Sequence, residues 1–173
     1  MQEEWFLTVI VLIGISIVIN VIGKLIKLSK TQIIPGQYQQ APALFTQAEQ
    51  LFLGVITQAV GEEFRVFGKV RVADVLNPKD GLNPSERQVA FNKISSKHFD
   101  FVLCDSSTLK VLCVIELDDA SHNSASRKLR DQFLDSTCQS AELPIVHVKA
   151  ASTYSVPKIA DQIAKAIEQQ SEA

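Results

Sequence analysis

Residues 99–122, FDFVLCDSSTLKVLCVIELDDASH, constrain the fold more than any other stretch, because two alternating apolar runs flank a short polar break. Phe99, Phe101 and Leu103 alternate with Asp100, Val102 and Cys104. Val111, Cys113, Ile115 and Leu117 alternate with Leu112, Val114, Glu116 and Asp118. A period of two over runs this apolar predicts two strands. The intervening Asp105-Ser106-Ser107-Thr108 supplies side chains that bond back to their own backbone in turns, so the stretch reads as a hairpin. Asp100 and Glu116 are out of place in it. Asp is depleted in strands, and a carboxylate buried among apolar residues is costly without a partner or a metal.

The register of such a hairpin decides whether the two carboxylates meet. Opposed residues of an antiparallel pair share a face, and a slip of one residue inverts that face. If Asp105 pairs with Leu109 across a three-residue loop, Asp100 lies opposite Val114 and Glu116 is its diagonal neighbour, with Cβ atoms about 7–8 Å apart. Two carboxylates at that spacing can share a divalent cation. A two-residue loop would put them on opposite faces, so a shared metal predicts a three- or five-residue loop.

Elsewhere the 173-residue chain divides by composition. Residues 5–22, WFLTVIVLIGISIVINVI, carry no charge, and at about 1.5 Å rise per residue they nearly span a hydrocarbon layer of about 30 Å. Glu3 and Glu4 precede the run, and Lys24, Lys27 and Lys30 follow it. That is the wrong order for a cleavable signal peptide. By the positive-inside rule it predicts a single-pass anchor with the following domain on the cytoplasmic side. The expected organisation is an anchor at 1–30, a linker at 31–42 containing Pro35 and Gly36, and one domain at 43–173. Outside the five charges that flank the apolar run, 14 basic and 17 acidic residues remain. This balance disfavours general adhesion to duplex nucleic acid and requires any such contact to be a local patch. Cys104, Cys113 and Cys138 lack zinc-type pairing and read as reduced core residues.

Along the domain, Thr46-Gln47-Ala48-Glu49 matches a capping box ahead of a helix reaching about Val60. Residues 63–72 read as a strand in which Gly68 suggests a bulge. Residues 73–82 hold turn signals, and Asn83-Pro84-Ser85 can start a helix to about Ser95. After the hairpin come a helix over about 124–141, a short strand over 143–149 and a closing helix over about 157–169 with Pro157 in its first turn. Without the insertion, the order is helix, three strands, helix, strand, helix.

That order, with Asp100 opening the second strand and Glu116 near the end of the third, resembles the core of the PD-(D/E)xK nuclease superfamily, an α/β restriction-endonuclease-like fold. Glu116-Leu117-Asp118-Asp119 with His122, Arg127, Arg130-Asp131 and the strand Leu143-Pro144-Ile145-Val146 resembles an uncharacterised bacterial branch related to the very-short-patch-repair endonucleases. The resemblance implies a Mg²⁺-dependent phosphodiesterase centre with Asp100 and Glu116 as metal ligands and Glu49 as a further carboxylate. It also implies nucleic acid as partner and the bacterial inner membrane as location. Two positions after Glu116, where the superfamily carries lysine, stands Asp118. Two repairs are open: Asp118 as a ligand or base with His122 moving protons, or Lys128 bringing a cation from the next helix.

Each residue also has a structural role to be weighed. Glu49 is explained by the capping box with Thr46. One of Asp118 and Asp119 can cap the next helix, and His122 near a helix start can do the same. Arg127, Lys128 and Arg130 are unfavourable in sign for a helix N-terminus, which fits a phosphate-binding patch. They equally fit a solvated face paired with Asp131 and Asp135. Two functions follow: a membrane-anchored metal-dependent nuclease, or a binding module that keeps the nuclease fold without turnover.

Overall fold

The computed structural model describes residues 2–30, 36–118 and 125–171. The chain separates into two units, Met1–Pro42 and Ala43–Ala173. The first contains helix α1, Gln2–Lys30, whose side chains over 8–24 are all exposed. Among the described residues no helix is long and apolar enough to cross a membrane, so they do not supply the transmembrane helix expected from the sequence.

The second unit is an α/β domain. Its elements are α2 (Gln47–Val60), β1 (Phe64–Arg71), α3 (Val72–Val75), α4 (Pro84–Ile94), β2 (His98–Asp105), β3 (Val111–Asp118), α5 (Ala125–Ser140), β4 (Ile145–Lys149) and α6 (Val156–Ser171). The four strands form one sheet in the order β1-β2-β3-β4. The first two pairings are antiparallel and β3–β4 is parallel, as the long crossover through α5 requires. Local chemistry sets the helix starts. Thr46 and Asn83 each cap through the side chain while Glu49 and Glu86 reach back to the cap N–H, two complete capping boxes.

Alternation along the strands fills two cores. Phe101, Leu103, Cys113 and Ile115 on one face pack with Phe52 and Ile56 of α2 and Ile159 and Ile163 of α6. Val102, Cys104 and Val114 on the other face pack with Leu134 and Cys138 of α5 and Ile94 of α4. Each such aliphatic or aromatic side chain contributes about 1.5–3 kcal/mol by leaving water. All three cysteines are free and buried.

Two sequence expectations are corrected. Gly68 does not mark a bulge: it pairs with Phe101 in register, and a Cβ there would collide with the ring of Phe45. That ring lies on the sheet, stacked on Phe101 with centroids 5.7 Å apart. The hairpin loop is neither three nor five residues. Asp105 N–H donates to Lys110 O at 2.9 Å, leaving the four residues 106–109 between them. An even loop alone would set Asp100 and Glu116 on opposite faces, but the ladder shifts by one residue between Leu103 and Cys104. This β-bulge pairs Phe101 with Ile115 and so brings Asp100 and Glu116 next to each other at the end of the ladder.

Candidate functional site

The pleat breaks at one rung of the sheet, and the site begins there. Phe64 and Val66 pack into the α2/α6 core, whereas Val70 packs into the α5 core. On the neighbouring strand Phe101 and Phe99 divide the same way. The rung between them is Lys69 opposite Asp100, since Gly68 pairs with Phe101 and Val70 with Phe99. Lys69 has φ 56°, a left-handed conformation that costs a residue with a Cβ about 1–2 kcal/mol and is typical of functional sites.

From this rung a chain of ionised groups crosses the domain. The Lys69 ammonium donates to Glu49 Oε1 of α2 and, at 3.2 Å, to Asp100 Oδ1. Asp100 Oδ2 accepts the Leu117 N–H at 3.1 Å, and the Asp100 N–H donates to Glu116 Oε1 at 3.2 Å. Arg130 Nη2 of α5 donates to Glu116 Oε2 at 3.1 Å. Side chain and backbone thus bridge β2 and β3 beyond Phe101↔Ile115, where their regular pairing ends.

Burial sets the electrostatics. Glu116 is only 4 % exposed and is the one buried charged residue among those described. Desolvation first, and the neighbouring Asp100 second, push its carboxyl up to about 7, against the opposing pull of Arg130, the Asp100 N–H and His147. At Lys69, burial works against the charged form, but the bonds to Glu49 and Asp100 outweigh it and hold the ammonium above its ordinary value. Glu49 is held below the usual carboxylate range, burial being overcome by Lys69 and Thr46.

A second cluster adjoins the first. In register, Glu116 pairs with His147 and Asp118 with Lys149. The His147 ring joins Asp118 through Nδ1 at 3.2 Å and Asp135 of α5 through Nε2 at 2.9 Å. Burial opposes the imidazolium, yet these two carboxylates raise its pKa.

Of the residues singled out in the sequence, Glu49, Asp100 and Glu116 are therefore joined through Lys69 and the backbone, and Asp118 lies beside them with His147. Glu49 keeps its capping role at the same time. The cation that reaches Glu116 is Arg130, not Lys128. Lys128 is exposed and stands two residues from Arg130, a spacing that points the two side chains away from each other on a helix. Nor do Arg130 and Asp135 form a surface pair together, since Arg130 binds Glu116 and Asp135 binds His147. His122 and Asp119 lie outside the described residues, as does the side chain of Arg127.

Lys69 and His147 were missed in the sequence because each occupies the polar position of an alternating strand, where solvent exposure is the ordinary reading. Lysine after a mid-strand glycine and histidine between two valines were the available signals.

Among the described residues no three His, Cys, Asp or Glu side chains are grouped to hold a metal ion. The carboxylates are hard donors of the type Mg²⁺ takes. Each Asp100 and Glu116 oxygen accepts one hydrogen bond and retains capacity for a second interaction. A cavity of about 690 Å³ lies elsewhere. Leu76, Leu82, Val89 and Phe133 line it, and none of the site residues does.

Fold and site define an α/β domain with a paired-carboxylate centre flanked by lysine and arginine. The chain belongs to a family described as a protein of unknown function, DUF2726, whose model matches residues 41–167. No curated protein and no solved structure matches it.

Proposed function

We propose that the chain is a membrane-anchored, Mg²⁺-dependent nuclease-like hydrolase of phosphodiester bonds, related to the PD-(D/E)xK superfamily. The observation that carries this reading is the Asp100–Glu116 pair at the end of the β2–β3 ladder, joined through the Asp100 N–H and bracketed by Lys69 and Arg130. The strand order and the helix-strand-strand-strand-helix-strand succession support it, although a fold hosts many functions.

Asp100 and Glu116 would hold the cation. When bound, Mg²⁺ supplies Lewis-acid polarisation of the phosphate and a more acidic water. Lys69 answers the absence of lysine at 118: a cation held beside Asp100 can stabilise charge developing on a phosphoryl oxygen. Arg130 offers a planar, permanently charged donor that suits phosphate.

The anchor reading rests on the uncharged run at 5–22 and on the exposed apolar side chains that α1 carries along it, from Val9 to Ile22. An apolar run without a polar face favours apolar surroundings over water. By the positive-inside rule the lysines after it favour the inner face of a bacterial membrane for the domain.

A second reading, a binding module without turnover, is favoured by one observation. Lys69, Arg130 and backbone N–H groups already donate one hydrogen bond to each oxygen of Asp100 and Glu116. Cleavage of supercoiled plasmid and labelled oligonucleotides by the full chain in detergent, with Mg²⁺, Mn²⁺ or EDTA, separates the two. Metal-dependent cleavage that disappears in Glu116→Ala supports the hydrolase. Equal inactivity of folded wild type and variant supports the binding module.

A further inference from the structure

Resting on the phosphodiester reading above, we propose that a cleft at the β4 edge of the sheet binds nucleic-acid backbone phosphate through Lys149 and Lys158. The cleft has a volume of about 520 Å³. Its lining includes Lys149, Lys158, Thr153, Ser155 and Gln162, all able to donate to phosphate oxygens, and no carboxylate. Among the described residues neither lysine enters an ion pair, so both charges are available to a ligand.

Position links this cleft to the carboxylate centre. Strands β3 and β4 are parallel, so Asp118 and Lys149 are register partners at the same end of the sheet. Ala150 N–H donates to Asp118 O at 2.8 Å, fastening that end. His147 belongs to both places: its ring nitrogens bind Asp118 and Asp135, and it also lines the cleft. The cleft thus opens one strand from β3, about 4.8 Å in the sheet. A nucleic-acid strand presenting one phosphate at Glu116 has others within reach of β4.

Charge favours this occupant. The chain carries a net charge of −2, so its overall field does not collect a polyanion. A polyanion must be met by a cationic surface without acids, as this lining is. Because the contact is to phosphate, it carries no base preference.

The test is binding of a fluorescein-labelled single-stranded oligodeoxynucleotide to the full chain in detergent micelles, in EDTA, over a series of salt concentrations. Lys149→Ala and Lys158→Ala are compared with wild type and with Lys110→Ala, an exposed change at the opposite end of β3. Each cleft variant should weaken binding several-fold and reduce the slope of log affinity against log salt by about 0.7, with Lys110→Ala unchanged. Equal affinity and slope in wild type and both cleft variants, or no binding by wild type, overturns the proposal. Binding that depends on the lysines, without metal-dependent cleavage, upholds the cleft and removes the hydrolase. Cleavage unaltered by the lysine changes does the reverse.

Discussion

Asp100 and Glu116 are joined by their main chains as well as by charge: the Asp100 N–H donates to the Glu116 carboxylate, and the Asp100 carboxylate accepts the Leu117 N–H. Two acids that would repel each other are thereby fixed in place at the end of the β2–β3 ladder. Lys69 steadies one of them and Arg130 the other. This arrangement governs how the domain should respond to mutation and to pH.

Removing the Lys69 charge leaves two mostly buried carboxylates without it. Lys69→Met should destabilise the fold by about 1–3 kcal/mol, between the values for surface and buried pairs, and should abolish metal-dependent cleavage. Lys69→Gly also removes the charge but relieves the left-handed backbone at φ 56°, returning about 1 kcal/mol. Urea midpoints should rank Lys69→Gly above Lys69→Met while both remain inactive. A fully active Lys69→Met would exclude the ammonium from the reaction.

Glu116 should make stability fall as pH rises. Its folded carboxyl is pushed up to about 7 from an ordinary value of 4.5, so between those values the folded state binds more protons than the unfolded state. The stabilisation is complete below about pH 4.5 and lost by about pH 7, on the order of 3 kcal/mol. Glu116→Gln should flatten this part of the stability–pH curve and make the variant relatively more stable at pH 8 than at pH 4.5. An unchanged curve would count against the buried acid.

His147 should act in the same direction over a higher window. Its pKa is raised by Asp135 and Asp118 against burial. Its contribution is therefore present below the unfolded value of about 6.5 and is lost as pH rises through the higher folded value. His147→Gln should remove this decline and, by taking away a charge that lowers the Glu116 carboxyl, carry the Glu116 segment to slightly higher pH; NMR titration of the imidazole should give a pKa above 6.5. A value below 6.5 would mean that the two carboxylates do not hold an imidazolium.

Gly68 should not tolerate a side chain. Gly68→Ala directs a methyl group into the Phe45 ring stacked on Phe101 and should cost about 1–3 kcal/mol by overpacking. Combined with Phe45→Ala, the change should cost less than it does alone, a non-additivity expected of contacting residues. Additive behaviour in this double-mutant cycle would contradict the contact.

Much of the domain was legible because local rules agree with the final structure. Period-two patterning located both hairpin strands, and the cap residues Thr46 and Asn83 marked helix starts that the structure keeps. The improbability of acids in apolar strands singled out Asp100 and Glu116. The hairpin carries a four-residue turn with a bulge at Leu103/Cys104 in place of the odd loop expected from the sequence. Alternation cannot distinguish those solutions.

The sequence by itself determined the apolar run at 5–22, the order of the elements and the two acids that β2 and β3 carry, since these depend on residue type and spacing along one chain. Only the tertiary structure decided which cations meet those acids. Lys69 lies 31 residues before Asp100 and Arg130 lies 14 after Glu116. Their partnership depends on strand register, on the break in the pleat at the Lys69–Asp100 rung and on which turn of α5 lies over β3. Those are properties of packed elements, set when distant segments bury their apolar faces together, and no local pattern encodes them.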